Sequence, residues 1–140
     1  AKIEKARELG AEGGVNYRDP EWVAKLREMT DGGPDVVIDS AGGPTFDQLL
    51  DLARPGGRIA IYGATLGNVP QAQVRRIFWK QLTILGSTMG TDAEFVEMLK
   101  WFETQAIAPV VDKAFPLAEA AEAHRRMEEA GQFGKIVLVP

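Results

Sequence analysis

Asp35-Val36-Val37-Ile38-Asp39-Ser40-Ala41-Gly42-Gly43 is the stretch that decides the fold. Its apolar centre is short and β-branched, and it gives way at once to small residues. A run of that length and composition reads as a strand buried on both faces, as in a parallel sheet. Ser40 to Pro44 turns the chain out of the strand. Thr45 and Gln48 have the spacing of a capping box, and Phe46, Leu49, Leu50 and Ala53 fall on the inner face of the helix that follows. Pro55-Gly56-Gly57 stops that helix, and Arg58-Ile59-Ala60-Ile61-Tyr62-Gly63 is a second strand of the same kind. Strand, helix and strand in direct succession make the unit from which parallel sheets are built.

The alternation continues outward. Downstream, a short helix near Ala72 to Trp79 leads to a third strand, Leu82 to Gly86. Thr91 and Glu94 form another capping box, and Phe95, Met98, Leu99 and Phe102 share one face of the next helix. Val110-Val111 is strand-like, a helix runs from about Leu117 to Ala130, and Lys135 to Val139 is a closing strand. Upstream, Val15-Asn16-Tyr17 is a short strand candidate. Asp19 and Pro20 then open a helix to about Thr30, striped by Trp22, Leu26 and Met29. Trp22, Phe95 and Phe102 read as core. Lys2 to Leu9 is a helix already under way with Gly10 as its stop, so the chain is expected to be cut from something longer. The fold class is α/β, a mostly parallel sheet with flanking helices.

Composition narrows the function. The 140 residues carry a net charge of −4 and no basic run, which argues against a nucleic-acid partner. No apolar stretch approaches the roughly 18 residues of a membrane span. The charged opening Ala1-Lys2-Ile3-Glu4-Lys5 is no signal peptide. Cysteine is absent, which removes disulfides, thiolate catalysis and Cys-ligated zinc from these residues and fits a cytoplasmic protein.

Ligands of open parallel sheets bind at the carboxyl ends of the strands. Three strands here end in small residues: Ser40-Ala41-Gly42-Gly43, Gly63-Ala64-Thr65 and Gly86-Ser87-Thr88. One such loop is as well explained by glycine simply ending a strand. Three in succession favour an edge where a flat ring and a sugar approach the backbone closely.

Taken together, Val36 to Gly43, Gly56 to Gly63, Gln81 to Ser87 and Gly134 to Leu138 resemble the medium-chain dehydrogenases in order and spacing. That family includes zinc-type alcohol dehydrogenases and zinc-free quinone oxidoreductases. Glu8 to Ala11 and Pro116 to His124 match as well, so the likeness covers essentially the whole chain. It implies a partial Rossmann-like, doubly wound sheet of order 3-2-1-4-5-6. Val15 to Tyr17 would be strand 3, and strands 4, 5 and 6 would lie at Val36, Arg58 and Leu82. Strands 1 and 2 and the Gly-rich phosphate turn would precede residue 1, and no G-x-G-x-x-G occurs here. Residues 1–106 would be an incomplete dinucleotide-binding domain, and 107–140 a segment returning to the catalytic domain.

The resemblance further implies NADP or NAD as cofactor and hydride transfer to or from an alcohol, carbonyl or activated alkene. A truncated, non-catalytic domain that folds and self-associates stands as the alternative. Cofactor contacts would fall to Lys2, Tyr17, Ser40, Ala41, Gly63, Ala64, Thr65, Gly86 and Ser87; no catalytic or metal-binding residue is assigned. Two readings of Lys2 stand level: a contact to the 2′-phosphate of NADPH, or a surface lysine in a helix's first turn. Tyr17 would lie at the adenosine end or simply pack. Ser40 and Ala41 would lie beside the adenine ribose or ring, with the glycine-rich ends after the next two strands on the nicotinamide side. Lys135 reads as a solvated lysine ahead of a pyrophosphate contact, and His124, the only histidine, as packed and hydrogen-bonded. Strand 3, lacking its neighbours, is expected to pair with Val36 to Asp39 or to be hidden by self-association. A homodimer through Leu82 to Gly86 is the expected assembly.

Overall fold

In the computed structural model, which describes residues 1–140, the apolar runs become short parallel strands: β1 (Val36–Asp39), β2 (Arg58–Ile61) and β3 (Thr83–Gly86). They pair in the order β1-β2-β3, with Val37 beside Ile59 and Ile59 beside Ile84. Helix α3 (Phe46–Leu52) joins β1 to β2, and α4 (Val74–Trp79) joins β2 to β3. These are the crossovers that parallel pairing demands. Phe46, Leu50, Ala53, Ile59 and Leu82 form the core, with Val37, Ile61, Ile77 and Ile84 packed against it. Each enclosed aliphatic side chain, such as Leu50 or Ile59, contributes about 2 kcal/mol by leaving water.

The cover is one-sided. The pleat sends Val37, Ile59 and Ile84 inward and Val36, Ile38 and Leu85 to the other face, where Ile38 is 71% exposed. The expectation of strands buried on both faces is therefore corrected. Composition shows what a strand is able to bury, but α3 and α4 both deliver their apolar side chains to the same face.

Cap chemistry departs from the expected pattern at α3. Residues 43–45 form one 3-10 turn, and the Thr45 hydroxyl donates to the Gly42 carbonyl, so no box with Gln48 forms. At the other end, the Lys80 ammonium donates to the carbonyls of Leu50 (3.2 Å), Asp51 and Ala53 (2.9 Å). A lysine following α4 thus satisfies the orphan carbonyls of α3. Burial pushes its pKa below the ordinary lysine value.

Upstream lie α1 (Lys2–Glu8) and α2 (Trp22–Met29). Val15 to Tyr17 is not a strand: β1 pairs with β2 alone, and Tyr17 is exposed. Local polar groups take the backbone donors instead. The Asn16 side chain accepts from the Arg18 amide, and the Asn16 carbonyl from Asp19, making a turn. Asp19 accepts from the Glu21 amide, so α2 starts two residues past Pro20. Trp22 is buried as expected. Arg27 of α2 donates to both the carbonyl (3.1 Å) and the carboxylate (2.7 Å) of Asp51 on α3.

The chain divides into two compact units, Ala1–Met89 and Gly90–Pro140. The second contains α5 (Asp92–Thr104), β4 (Val111–Pro116), α6 (Ala120–Glu128) and β5 (Lys135–Val139). The Thr91–Glu94 capping box forms as expected. Phe95 is not core, being 58% exposed, and Phe102 is only half-buried, because no other element packs closely against α5. β4 and β5 pair in parallel over Phe115 and Ala123. Asp112 accepts from Arg126 (2.5 and 3.0 Å) and from the Phe133 amide (3.0 Å), tying strand, helix and final turn together. No helix is long and apolar enough to cross a membrane.

Candidate active site at the strand ends

Because β1, β2 and β3 run parallel, their carboxyl ends lie at one edge, and the loops that leave them meet there. Residues 40–43 follow β1, and residues 62–67 follow β2. Main-chain bonds interlock the two loops. Thr65 N donates to the Ser40 carbonyl (3.2 Å), Leu66 N to the Ala41 carbonyl (2.8 Å), and Gly43 N to the Gly67 carbonyl (3.0 Å). Across the next strand, Ser87 N donates to the Ile61 carbonyl (2.9 Å).

Glycine is required for this closeness. A Cβ on Gly63 would stand 2.8 Å from the Ser40 carbonyl oxygen. Gly43 adopts φ +63°, a conformation that L side chains rarely take, and a Cβ there would lie 2.9 Å from the Leu66 carbonyl oxygen. At the root of the first loop, Asp39 accepts from the amides of Ala41 (2.8 Å) and Gly42 (3.3 and 3.2 Å).

Two hollows open along this edge. One, of about 350 Å³, is lined by Tyr17, Trp22, Asp39, Ser40, Ala41, Thr45, Leu49, Thr65 and Leu66. The other, of about 510 Å³, is lined by Ile61, Tyr62, Gly63, Ala64, Gly86, Ser87 and Thr88. Both volumes suit a small-molecule fragment. No cationic side chain lines either, so their chemistry favours uncharged rings and sugars over phosphate.

The expected site residues divide between them. Tyr17, Ser40, Ala41 and Thr65 share the first hollow; Gly63, Ala64, Gly86 and Ser87 share the second. Lys2 is exposed on α1 and lines neither. The sequence reading did not single out Tyr62, Leu66 or Asp39. Leu66 lies in a loop without periodicity, whereas Asp39 carried a readable signal, a carboxylate ending an apolar strand. His124 was expected to be packed; it is instead exposed at the rim of an apolar hollow of about 130 Å³ with Ala123, Met127, Ile136 and Leu138. No three His, Cys, Asp or Glu side chains come together in a set that could hold a metal ion, so these residues do not fit a zinc site and no step is assigned to one.

A parallel sheet carrying glycine-rich loops at its carboxyl edge is the Rossmann-like arrangement of dehydrogenases. The family profile of zinc-binding dehydrogenases matches residues 9–138. A 2-haloacrylate reductase from a Burkholderia species is 37% identical, over 99% of this chain and 45% of its own length. The solved structure of an NAD-dependent alcohol dehydrogenase superposes with a TM-score of 0.87 at 40% identity, over 99% of this chain and 40% of that one. A 2-octenoyl-CoA carboxylase reductase, solved with NADP and 2-octenoyl-CoA, gives a TM-score of 0.84 at 28% identity, over 99% of this chain and 36% of that one. The chain belongs to the zinc-binding dehydrogenase family, and the likeness to medium-chain dehydrogenases read from the sequence holds. It spans less than half the length of these relatives.

Proposed function

We propose that this chain forms the strand-end half of a nicotinamide dinucleotide site in an oxidoreductase that moves hydride to or from an alcohol, carbonyl or activated alkene. The observation that carries the reading is the interlocked pair of loops after β1 and β2, with a hollow on either side of residues 63–66. The adenosine end lies by Tyr17, Ser40 and Ala41, together with Thr65, which was expected on the nicotinamide side but lines this first hollow; the nicotinamide end lies by Gly63, Ala64, Gly86 and Ser87. When bound, the dinucleotide supplies the hydride donor or acceptor. The residues present supply its seat, through a glycine backbone that lets the ring come close and through hydroxyls at Ser40, Thr65 and Ser87. Of the two level readings of Lys2, a contact to the 2′-phosphate would give a preference for NADPH, and a surface lysine would give none. The outer edge of β3 is unpaired within this chain and is where a second copy joins in a homodimer. The protein is assigned to the cytoplasm.

Titration of the 140-residue chain with NADH and NADPH, followed by nicotinamide fluorescence, tests the reading. Micromolar binding is the expected result, and an NADPH preference lost in Lys2→Ala selects the phosphate contact. Absence of binding at millimolar cofactor overturns it in favour of a second reading, a domain that folds and self-associates without holding a dinucleotide. The uncovered sheet face at Val36, Ile38 and Leu85 is the observation on that side.

A further inference from the structure

Asp39 is the single polar or charged residue in the buried set. It ends β1 at a position where Val36-Val37-Ile38 would be continued most favourably by another aliphatic residue. No lysine or arginine pairs with it. Its bonds come from the backbone, from Ala41 N at 2.8 Å and from Gly42 N at 3.3 and 3.2 Å. A carboxylate taken out of water and held by peptide dipoles alone costs the fold desolvation energy that an aliphatic side chain would not. A local rule broken beside a cleft points to function rather than stability. The loop held in this way supplies Ser40 and Ala41 to the first hollow. Through the Ala41 and Ser40 carbonyls it also fastens the loop of residues 62–67, which borders both hollows.

Building on the proposed dinucleotide site, we infer that Asp39 is a positioning residue of that site, acting through the amides of Ala41 and Gly42 to hold the loop against which the cofactor's sugar and ring lie. Its bonds to Gly42 hold a backbone at φ +60°, ψ −135° directly after Ser40 and Ala41, which line the first hollow. Asp39→Asn keeps one acceptor for Ala41 N and turns an NH2 toward the amide of Gly42. Asp39→Val removes both acceptors and fills the volume with an aliphatic group that suits the strand.

The test is NADH and NADPH titration of both variants beside the unmodified chain, with the thermal midpoint and site-resolved amide exchange measured in parallel. Asn is expected to weaken the preferred cofactor about tenfold. Val is expected to weaken it at least as much, with only a slight fall in thermal midpoint from leaving the buried Gly42 amide without its acceptor. Faster exchange in Asp39→Asn should be confined to Gly42, Gly43, Leu66 and their loop neighbours. Unchanged affinity in either folded variant overturns the inference. So does a fall in affinity matched by a much lower midpoint and faster exchange across β1, β2 and β3, or failure of both variants to fold, since each makes Asp39 a fold residue. Failure of the unmodified chain to bind either cofactor is a separate result that refutes the site itself.

Discussion

Replacing Gly63 by alanine is the sharpest probe of the strand-end platform. The added Cβ would stand 2.8 Å from the Ser40 carbonyl oxygen, where ordinary contact begins at 3.4 Å, an overlap of 3.4 − 2.8 = 0.6 Å. The obstacle is backbone, so no side-chain rotation relieves it. If the Ser40 carbonyl yields by that amount, its bond from Thr65 N lengthens from 3.2 Å to as much as 3.8 Å, past the range of a hydrogen bond. The weak contact from the Thr65 hydroxyl, already 3.4 Å, goes with it. Overpacking of this kind costs about 1–3 kcal/mol, and one lost bond at a partly exposed loop about 1 kcal/mol within that. Urea denaturation of the Ala1–Met89 unit should therefore show a lower midpoint, and cofactor titration a weaker complex, because the loops part beside both hollows. An unchanged midpoint together with unchanged affinity in Gly63→Ala would refute the claim that close approach, rather than mere strand ending, is why glycine stands there.

Other perturbations separate scaffold from site. Leu50→Ala opens a cavity under β2 and should cost about 2–5 kcal/mol by denaturant titration; a cost below 1 kcal/mol would show that α3 is loosely seated. Thr91→Ala removes the hydroxyl that accepts from the Glu94 amide and should cost α5 about 1 kcal/mol, read as lost helicity on heating. Acid should destabilise the fold in a definite direction. A hydrogen bond from Lys25 holds Asp19 below its ordinary 3.8, and bonds from Thr91 hold Glu94 below its ordinary 4.5. Over this window the unfolded chain binds more protons than the folded one, so the stability these groups add is present above those values and is lost as pH falls through and below them. A midpoint that rises on acidification from pH 5 to pH 3 would contradict that sign.

The parts of this fold that were legible share a cause. Val36-Val37-Ile38, Arg58 to Ile61 and Thr83 to Gly86 are short, apolar and bounded by turns, and the parallel pairing follows from the helices between them. What failed depended on information outside each segment. Val15 to Tyr17 has strand-forming residues but no neighbouring strand, so Asn16 and Asp19 settle its course. Phe95 and Phe102 carry the periodicity of a buried face, yet periodicity shows only that a face exists, not that anything covers it. The expected box at Thr45 and Gln48 lost to a tighter turn set by Gly42 and Gly43. At the site, the small residues after each strand were visible in sequence, while the clustering of Tyr17 with Ser40 and Thr65 needed three separate segments to be brought together. Asp39 was visible as a letter and became meaningful only once its burial and its three amide contacts were known.

Every strand pair in this chain is parallel, and that governs how the polypeptide reaches its fold. From the register, the partners lie 58 − 36 = 22, 83 − 58 = 25 and 135 − 111 = 24 residues apart. No hairpin exists to act as a quick local nucleus, so each pairing must wait for an intervening crossover to collapse. During synthesis, β1 emerges with its amides and carbonyls bonded only to water and gains no partner strand until some twenty further residues have followed. In that interval Val36, Val37 and Ile38 form a bare aliphatic β-segment, the kind that associates between chains. The lone Asp39 at its end, with Asp35 before it, gives that nascent segment a negative charge at each boundary, and like charges on neighbouring chains discourage stacking before β2 arrives.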